Sequence, residues 1–133
     1  QIQKLIKKEN LSSNIKYLGF QENVGTFLNE SSIFVLPSLY GEGCPTSILE
    51  AFTYKLPVVA YAIDGIPELV SHNVDGVLVD TAKSNSLECA IKDLLLDPVR
   101  VKNMGESGFR KVNDNFSLTN MLEKHNSFFL DLN

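Results

Sequence analysis

Two carboxylates dominate the chemistry this chain can offer. Glu42 and Glu50 lie in the stretch Pro37-Ser38-Leu39-Tyr40-Gly41-Glu42-Gly43-Cys44-Pro45-Thr46-Ser47-Ile48-Leu49-Glu50-Ala51. The apolar run from Ile33 to Leu36 ends at Pro37, a loop opens, and helical sequence begins near Thr46. One carboxylate therefore sits on the loop and the other about one turn inside the helix. Gly41 and Gly43 flank Glu42, so the backbone there can approach a ligand closely or adopt positive φ. A carboxylate on such a loop can accept hydrogen bonds from sugar hydroxyls, and Glu50 is spaced to bond a vicinal diol such as a ribose. Backbone donors at the helix start, near Thr46 and Ser47, suit phosphate or a sugar oxygen. Thr46 and Ser47 equally suit an ordinary N-cap, and capping and anion binding can coexist at one helix end. The spacing alone also fits a solvated acidic loop followed by a surface glutamate.

A second loop, Asp64-Gly65-Ile66-Pro67-Glu68, follows the apolar stretch from Pro57 to Tyr61. In a parallel sheet it lies beside the Glu42 loop. By itself Gly-x-Pro-Glu describes a turn and a helix start, and Glu68 suits the positive end of a helix dipole. No nucleophile stands beside a base, and neither His72 nor His125 has a neighbour at metal-ligand spacing. A carboxylate pair can run glycoside hydrolysis, but one member on a loop, one inside a helix and no aromatic platform argue against it. No phosphate loop or dinucleotide fingerprint is present. Cys44 and Cys89 have neither metal-cluster nor redox-motif spacing. Both read as free thiols in a reducing compartment, Cys89 in the core with its helix's leucines and Cys44 as a small packing residue.

The elements that must hold these loops follow from periodicity. Ile2 to Lys8 reads as a short amphipathic helix, Ile15 to Leu18 as a strand stopped by Gly19, and Val24 to Asn29 as a helix. Strands are expected at Ile33 to Leu36, Pro57 to Tyr61 and Gly76 to Val79. Helices are expected from Thr46 or Ser47 to Tyr54, and over Pro67 to Val70, Ser84 to Leu96, Pro98 to Asn113 and Leu118 to Leu130. Four short apolar strands separated by helical sequence predict an α/β, Rossmann-like three-layer domain: a parallel sheet of about four strands with helices on both faces.

Composition narrows the function classes. A chain of 133 residues suits one domain with a modest core. A net charge of −4 with interspersed signs offers no basic stripe to nucleic acid. No apolar run reaches the ~20 residues of a membrane-spanning helix, and the first residues form no secretory signal. With no initiator Met and a helix already under way at Ile2, the chain is expected to be a piece of a longer protein.

These blocks resemble the donor-binding domain of family 4 retaining glycosyltransferases, which have the two-domain, Rossmann-like GT-B fold. Tyr17-Leu18-Gly19-Phe20 is similar to the strand and glycine ahead of the family's donor site. Phe34-Val35-Leu36-Pro37-Ser38 with Glu42-Gly43-Cys44-Pro45 resembles its Pro-Ser and Glu-Gly-Phe-Pro segments. Glu42 and Glu50 match its paired-glutamate motif. Pro57-Val58-Val59-Ala60, Gly65-Ile66-Pro67-Glu68 and Asp75-Gly76-Val77-Leu78-Val79 complete the order. The resemblance implies that Glu42 contacts the donor sugar as the catalytic carboxylate and that Glu50 holds the nucleotide ribose. Gly43, Cys44, Thr46, Ser47, Asp64 and Gly65 join them in donor binding. It implies a UDP- or GDP-sugar donor, no metal and no further cofactor, and transfer with retention to an acceptor hydroxyl. Surface polysaccharide or glycolipid synthesis in the cytoplasm, at the inner face of the membrane, is the expected setting.

Three residues depart from the family pattern. Cys44 stands where a bulky residue such as Phe is usual, Lys55 where a glycine precedes Leu56-Pro57, and Asp64 at the first of two glycines, adding a charge near the donor. An acceptor domain, two further strands and the basic pair that grips the diphosphate have no counterpart in these residues. Residues 1–133 are therefore expected to be a partial nucleotide-sugar-binding domain, inactive alone, with an open sheet edge that favours a homodimer. The competing reading is a non-catalytic α/β domain that pairs with a partner chain.

Overall fold

The computed structural model describes residues 1–130; the last three residues of the expected 1–133 domain lie outside it. Three strands, β1 (Phe34–Leu36), β2 (Val58–Tyr61) and β3 (Gly76–Val79), form one parallel sheet in the order β1-β2-β3. Val35, Val59 and Val77 lie in register across it. The helices are α1 (Ile2–Lys8), α2 (Gly25–Asn29), α3 (Thr46–Thr53), α4 (Ile66–Leu69), α5 (Ser86–Leu95), α6 (Pro98–Asn115) and α7 (Leu118–Leu130).

Parallel strands are buried on both faces, and period-2 alternation divides their side chains between two cores. On one face Val58 and Ala60 pack with Ile48, Ala51 and Phe52 of α3 and with Ile66 and Leu69 of α4. On the other, Val59, Val77 and Val79 meet Ala90 and Leu94 of α5 and Met104 of α6. This is the expected α/β fold with helices on both faces, but with three strands rather than four. Ile15 to Leu18 forms no strand: Ile15 is 45% exposed and Tyr17 51%. Local β-propensity cannot make a strand without a neighbour to complete its hydrogen bonds, and among the described residues this segment has none.

Two other expectations change. Cys89 is exposed. Leu87, Ile91 and Leu94 line the inner stripe of α5, and a position two residues after Leu87 points to the opposite side of a 3.6-residue helix. Cys44 is exposed as well, so it does not serve as a packing residue.

Helix α6 locks the base of α3. A Cβ on Gly105 would lie 1.9 Å from the Lys55 carbonyl oxygen, and one on Gly108 would lie 2.3 Å from the Phe52 ring. These two glycines permit the close approach. Lys55 itself takes the left-handed backbone (φ 56°) that glycine adopts without strain. Its ammonium lies 3.0 Å from Glu106 and 5.1 Å from the Phe109 ring centroid, contacts that help to offset that conformation. The turn geometry that a glycine would give is thus kept with a lysine.

Candidate functional site

In a parallel sheet, the loops leaving adjacent strands emerge at the same edge. The loop after β1 carries Ser38 to Pro45, and the loop after its neighbour β2 carries Ala62 to Gly65. The structure brings the two sequence-predicted loops together and interlocks them. Asp64 Oδ2 accepts the backbone N–H groups of Gly41 (2.9 Å) and Glu42 (3.2 Å). The N–H of Gly65 donates to the Glu42 carbonyl at 3.0 Å. Gly65 must be a glycine for this contact, because a Cβ there would stand 1.7 Å from the Gly43 carbonyl oxygen.

The Glu42 side chain is partly buried, and its Oε1 accepts the Ser38 hydroxyl at 2.5 Å. Its other oxygen has no partner among the described residues. One oxygen is anchored and one is open, so the carboxylate is both oriented and available. Glu50 is exposed on α3, and its carboxylate has no hydrogen-bond or ionic partner among the described residues. Both glutamates stand on the chain segment that leaves the C-terminal end of β1.

The helix start differs from expectation. Neither Thr46 nor Ser47 is the N-cap: that residue is Pro45, and no side chain caps the helix. Among the described residues the first-turn donors at Thr46 and Ser47 have no acceptor, which strengthens the positive end of α3 as a place for an anion. Sequence reasoning favoured a hydroxyl cap because it weighed side-chain acceptors, and proline has none. Cys44, exposed between Gly43 and the buried Pro45, borders the same opening.

Two roles were missed from sequence. Ser38, read only as part of a Pro-Ser segment, orients Glu42. Asp64, expected to add charge near a ligand, turns its carboxylate onto the chain's own amides. Farther away, His72 is exposed, and its Nδ1 accepts the N–H of Leu78 at 3.1 Å. Among the described residues, no group of three His, Cys, Asp or Glu side chains is placed to hold a metal ion, and no helix is long and apolar enough to cross a membrane.

Known proteins resemble this chain in sequence and fold. Residues 1–111 match the family model for glycosyl transferases group 1. The amylovoran biosynthesis glycosyltransferase AmsK of Erwinia amylovora is 38% identical over 94 residues, covering 65% of this chain and 23% of that protein. A second relative is the UDP-Gal:alpha-D-GlcNAc-diphosphoundecaprenol alpha-1,3-galactosyltransferase of Escherichia coli. It is 30% identical over 123 residues, covering 92% of this chain and 31% of that protein. The chain thus spans less than a third of the length of either relative. Among solved structures, HepE of Anabaena in complex with UDP superposes with a TM-score of 0.89 at 22% identity, covering 98% of this chain and 36% of that one. That likeness fixes the fold, the Rossmann-like sheet of GT-B glycosyltransferases. Because that family model covers most of its length, the chain belongs to the group 1 glycosyl transferases.

Proposed function

We propose that this chain is the donor-binding part of a family 4 retaining glycosyltransferase. It holds a nucleotide-diphosphate sugar, with UDP or GDP as the nucleotide. Glu42 faces the sugar and Glu50 the ribose, while the amides of Gly43 and Cys44 on the loop and of Thr46 and Ser47 at the start of α3 donate to the sugar oxygens and the diphosphate. The observation that carries the reading is the oriented but open Glu42 carboxylate beside an uncapped helix N-terminus. A carboxylate accepts the hydroxyls of a sugar and favours the positive charge that develops at its ring. Amides at a helix start favour the negative charge of the departing diphosphate. The E. coli relative is named for a UDP-Gal donor, and HepE has also been solved with UDP-glucose; both support a nucleotide-sugar ligand here.

In the proposed reaction the bond from the anomeric carbon to the diphosphate breaks. A bond to an acceptor hydroxyl oxygen forms on the same face, and the hydroxyl's proton passes to the departing diphosphate. The acceptor side is supplied by a domain beyond these 133 residues, and the product enters surface polysaccharide or glycolipid at the cytoplasmic face of the membrane. The relative named for amylovoran biosynthesis supports the polysaccharide part of that reading.

The test is kinetic. In a protein that joins this chain to its acceptor domain, Glu42→Gln should lower kcat/KM about tenfold to a hundredfold. That is the size expected for a lost hydrogen bond to a charged group, ~1.5–3 kcal/mol. The product anomer, read by NMR coupling constants, should keep the donor's configuration. Unchanged kcat/KM would remove Glu42 from the reaction, and an inverted product would overturn retention.

A further inference from the structure

We propose that Asp64 is a positioning residue for Glu42. Its carboxylate staples the loop that carries Glu42, so that the loop is set before a nucleotide sugar arrives. This inference rests on the reading of that loop as the donor site.

The loop needs such a device. Gly41 and Gly43 flank Glu42, and a Cβ at either would meet nothing within 4 Å. Gly41 also lies at φ +81°. With no side chains at Gly41 and Gly43 to pack, the loop relies on its backbone to hold its shape, and glycines carry the largest conformational freedom to be lost. Three hydrogen bonds fix its backbone. Two are the N–H groups of Gly41 and Glu42 to Asp64 Oδ2, and the third runs from the Gly65 N–H to the Glu42 carbonyl. The last two bracket the Glu42 Cα from both sides and thereby set the direction of its side chain. Ser38 then holds the tip.

Asp64 is built for this task. Its backbone is left-handed (φ 46°), a conformation that aspartate tolerates better than most residues. One ionised oxygen takes both amides, and bonds to a charged acceptor are roughly twice as strong as neutral ones. There is a consequence for the ligand. The Gly41 and Glu42 amides are already occupied, so an incoming diphosphate is directed to the uncapped donors of α3 instead.

The experiment is amide hydrogen exchange by NMR on the 133-residue chain, for wild type, Asp64→Gly and Asp64→Asn, followed by titration with UDP-glucose. Glycine keeps the left-handed backbone and removes the acceptor, so its effect is separate from backbone strain. Asparagine keeps a neutral acceptor. Exchange at Gly41 and Glu42 should quicken at least tenfold in Asp64→Gly and by less in Asp64→Asn, with the amides of β2 and β3 unchanged. UDP-glucose binding should weaken in Asp64→Gly and recover in part in Asp64→Asn. No acceleration in either variant, or acceleration with UDP-glucose binding unchanged, would overturn the positioning role. A wild-type chain that ignores UDP-glucose would instead defeat the donor-site reading, while exchange at the two amides still decides whether Asp64 holds the loop.

Discussion

Lys111→Met is expected to destabilise the folded chain by roughly 3 kcal/mol, the lower end of the range for breaking a buried ion pair. The Asp75 side chain is only 1% exposed, and its Oδ2 lies 2.5 Å from Lys111 Nζ. Its Oδ1 accepts the Ser71 N–H at 2.7 Å. The same ammonium donates to the Leu69 carbonyl (2.8 Å) and the Ser71 hydroxyl (2.9 Å). One lysine on α6 therefore gathers the end of α4, the turn after it and the start of β3. Methionine fills much of the same space but leaves a buried carboxylate without its counter-charge. The lower end of the range applies because Lys111 keeps 21% of its side-chain surface in solvent. Urea denaturation measures the loss. Adding Asp75→Asn to Lys111→Met should return a large part of it, because the unpaired charge is then gone. An equal loss in single and double variants would mean that packing, not charge, is at stake.

Gly65→Ala should have the second-largest effect, and it should fall on the site. The Gly65 backbone lies at φ −81°, where alanine is at ease, so the substitution isolates a steric clash. The new methyl carbon would stand 1.7 Å from the Gly43 carbonyl oxygen, a backbone atom that moves only if its loop moves. Overpacking of this kind costs about 1–3 kcal/mol, and here relief requires parting the two interlocked loops. The hydrogen bond from Gly65 to Glu42 and the contacts of Asp64 would go with it. Thermal unfolding should show a lowered Tm, and NMR should show shifts concentrated at residues 41–44 and 62–66. Gly43→Ala is the control, since a Cβ there meets nothing within 4 Å. If both variants behave alike, the close approach of the two loops does not matter to the site.

Much of this architecture was legible in the residues, for physical reasons. Ile33 to Leu36, Pro57 to Tyr61 and Gly76 to Val79 are short β-branched runs ended by turn residues, and burial on both faces leaves them few alternatives. The edge they share follows from parallel pairing, so the meeting of the Glu42 and Asp64 loops could be anticipated. What could not be read was which individual groups, distant in sequence, would pair with one another. Ile15 to Leu18 has strand composition but no neighbour among the described residues. Asp64 bonds to an amide 22 positions away, and nothing in Asp-Gly identifies that acceptor role beyond its general habit of bonding backbone in turns. The misplacement of Cys89 was avoidable, since the spacing of Leu87, Ile91 and Leu94 already set it on the outer side of α5. Pro45 as a cap was hidden because the rules for helix starts describe side chains that bond, and here the cap residue leaves the donors open.

The proposed function rests on the segment from Glu42 to Glu50 binding a nucleotide sugar. An NMR titration of the chain with UDP, GDP, ADP and UDP-glucose, run beside Glu50→Ala, tests it most directly. Shifts confined to residues 41–50 and 62–66 are expected for one nucleotide base, with binding at least about tenfold weaker once the ribose contact of Glu50 is removed. Shifts that centre elsewhere, or that are the same in Glu50→Ala, would contradict it.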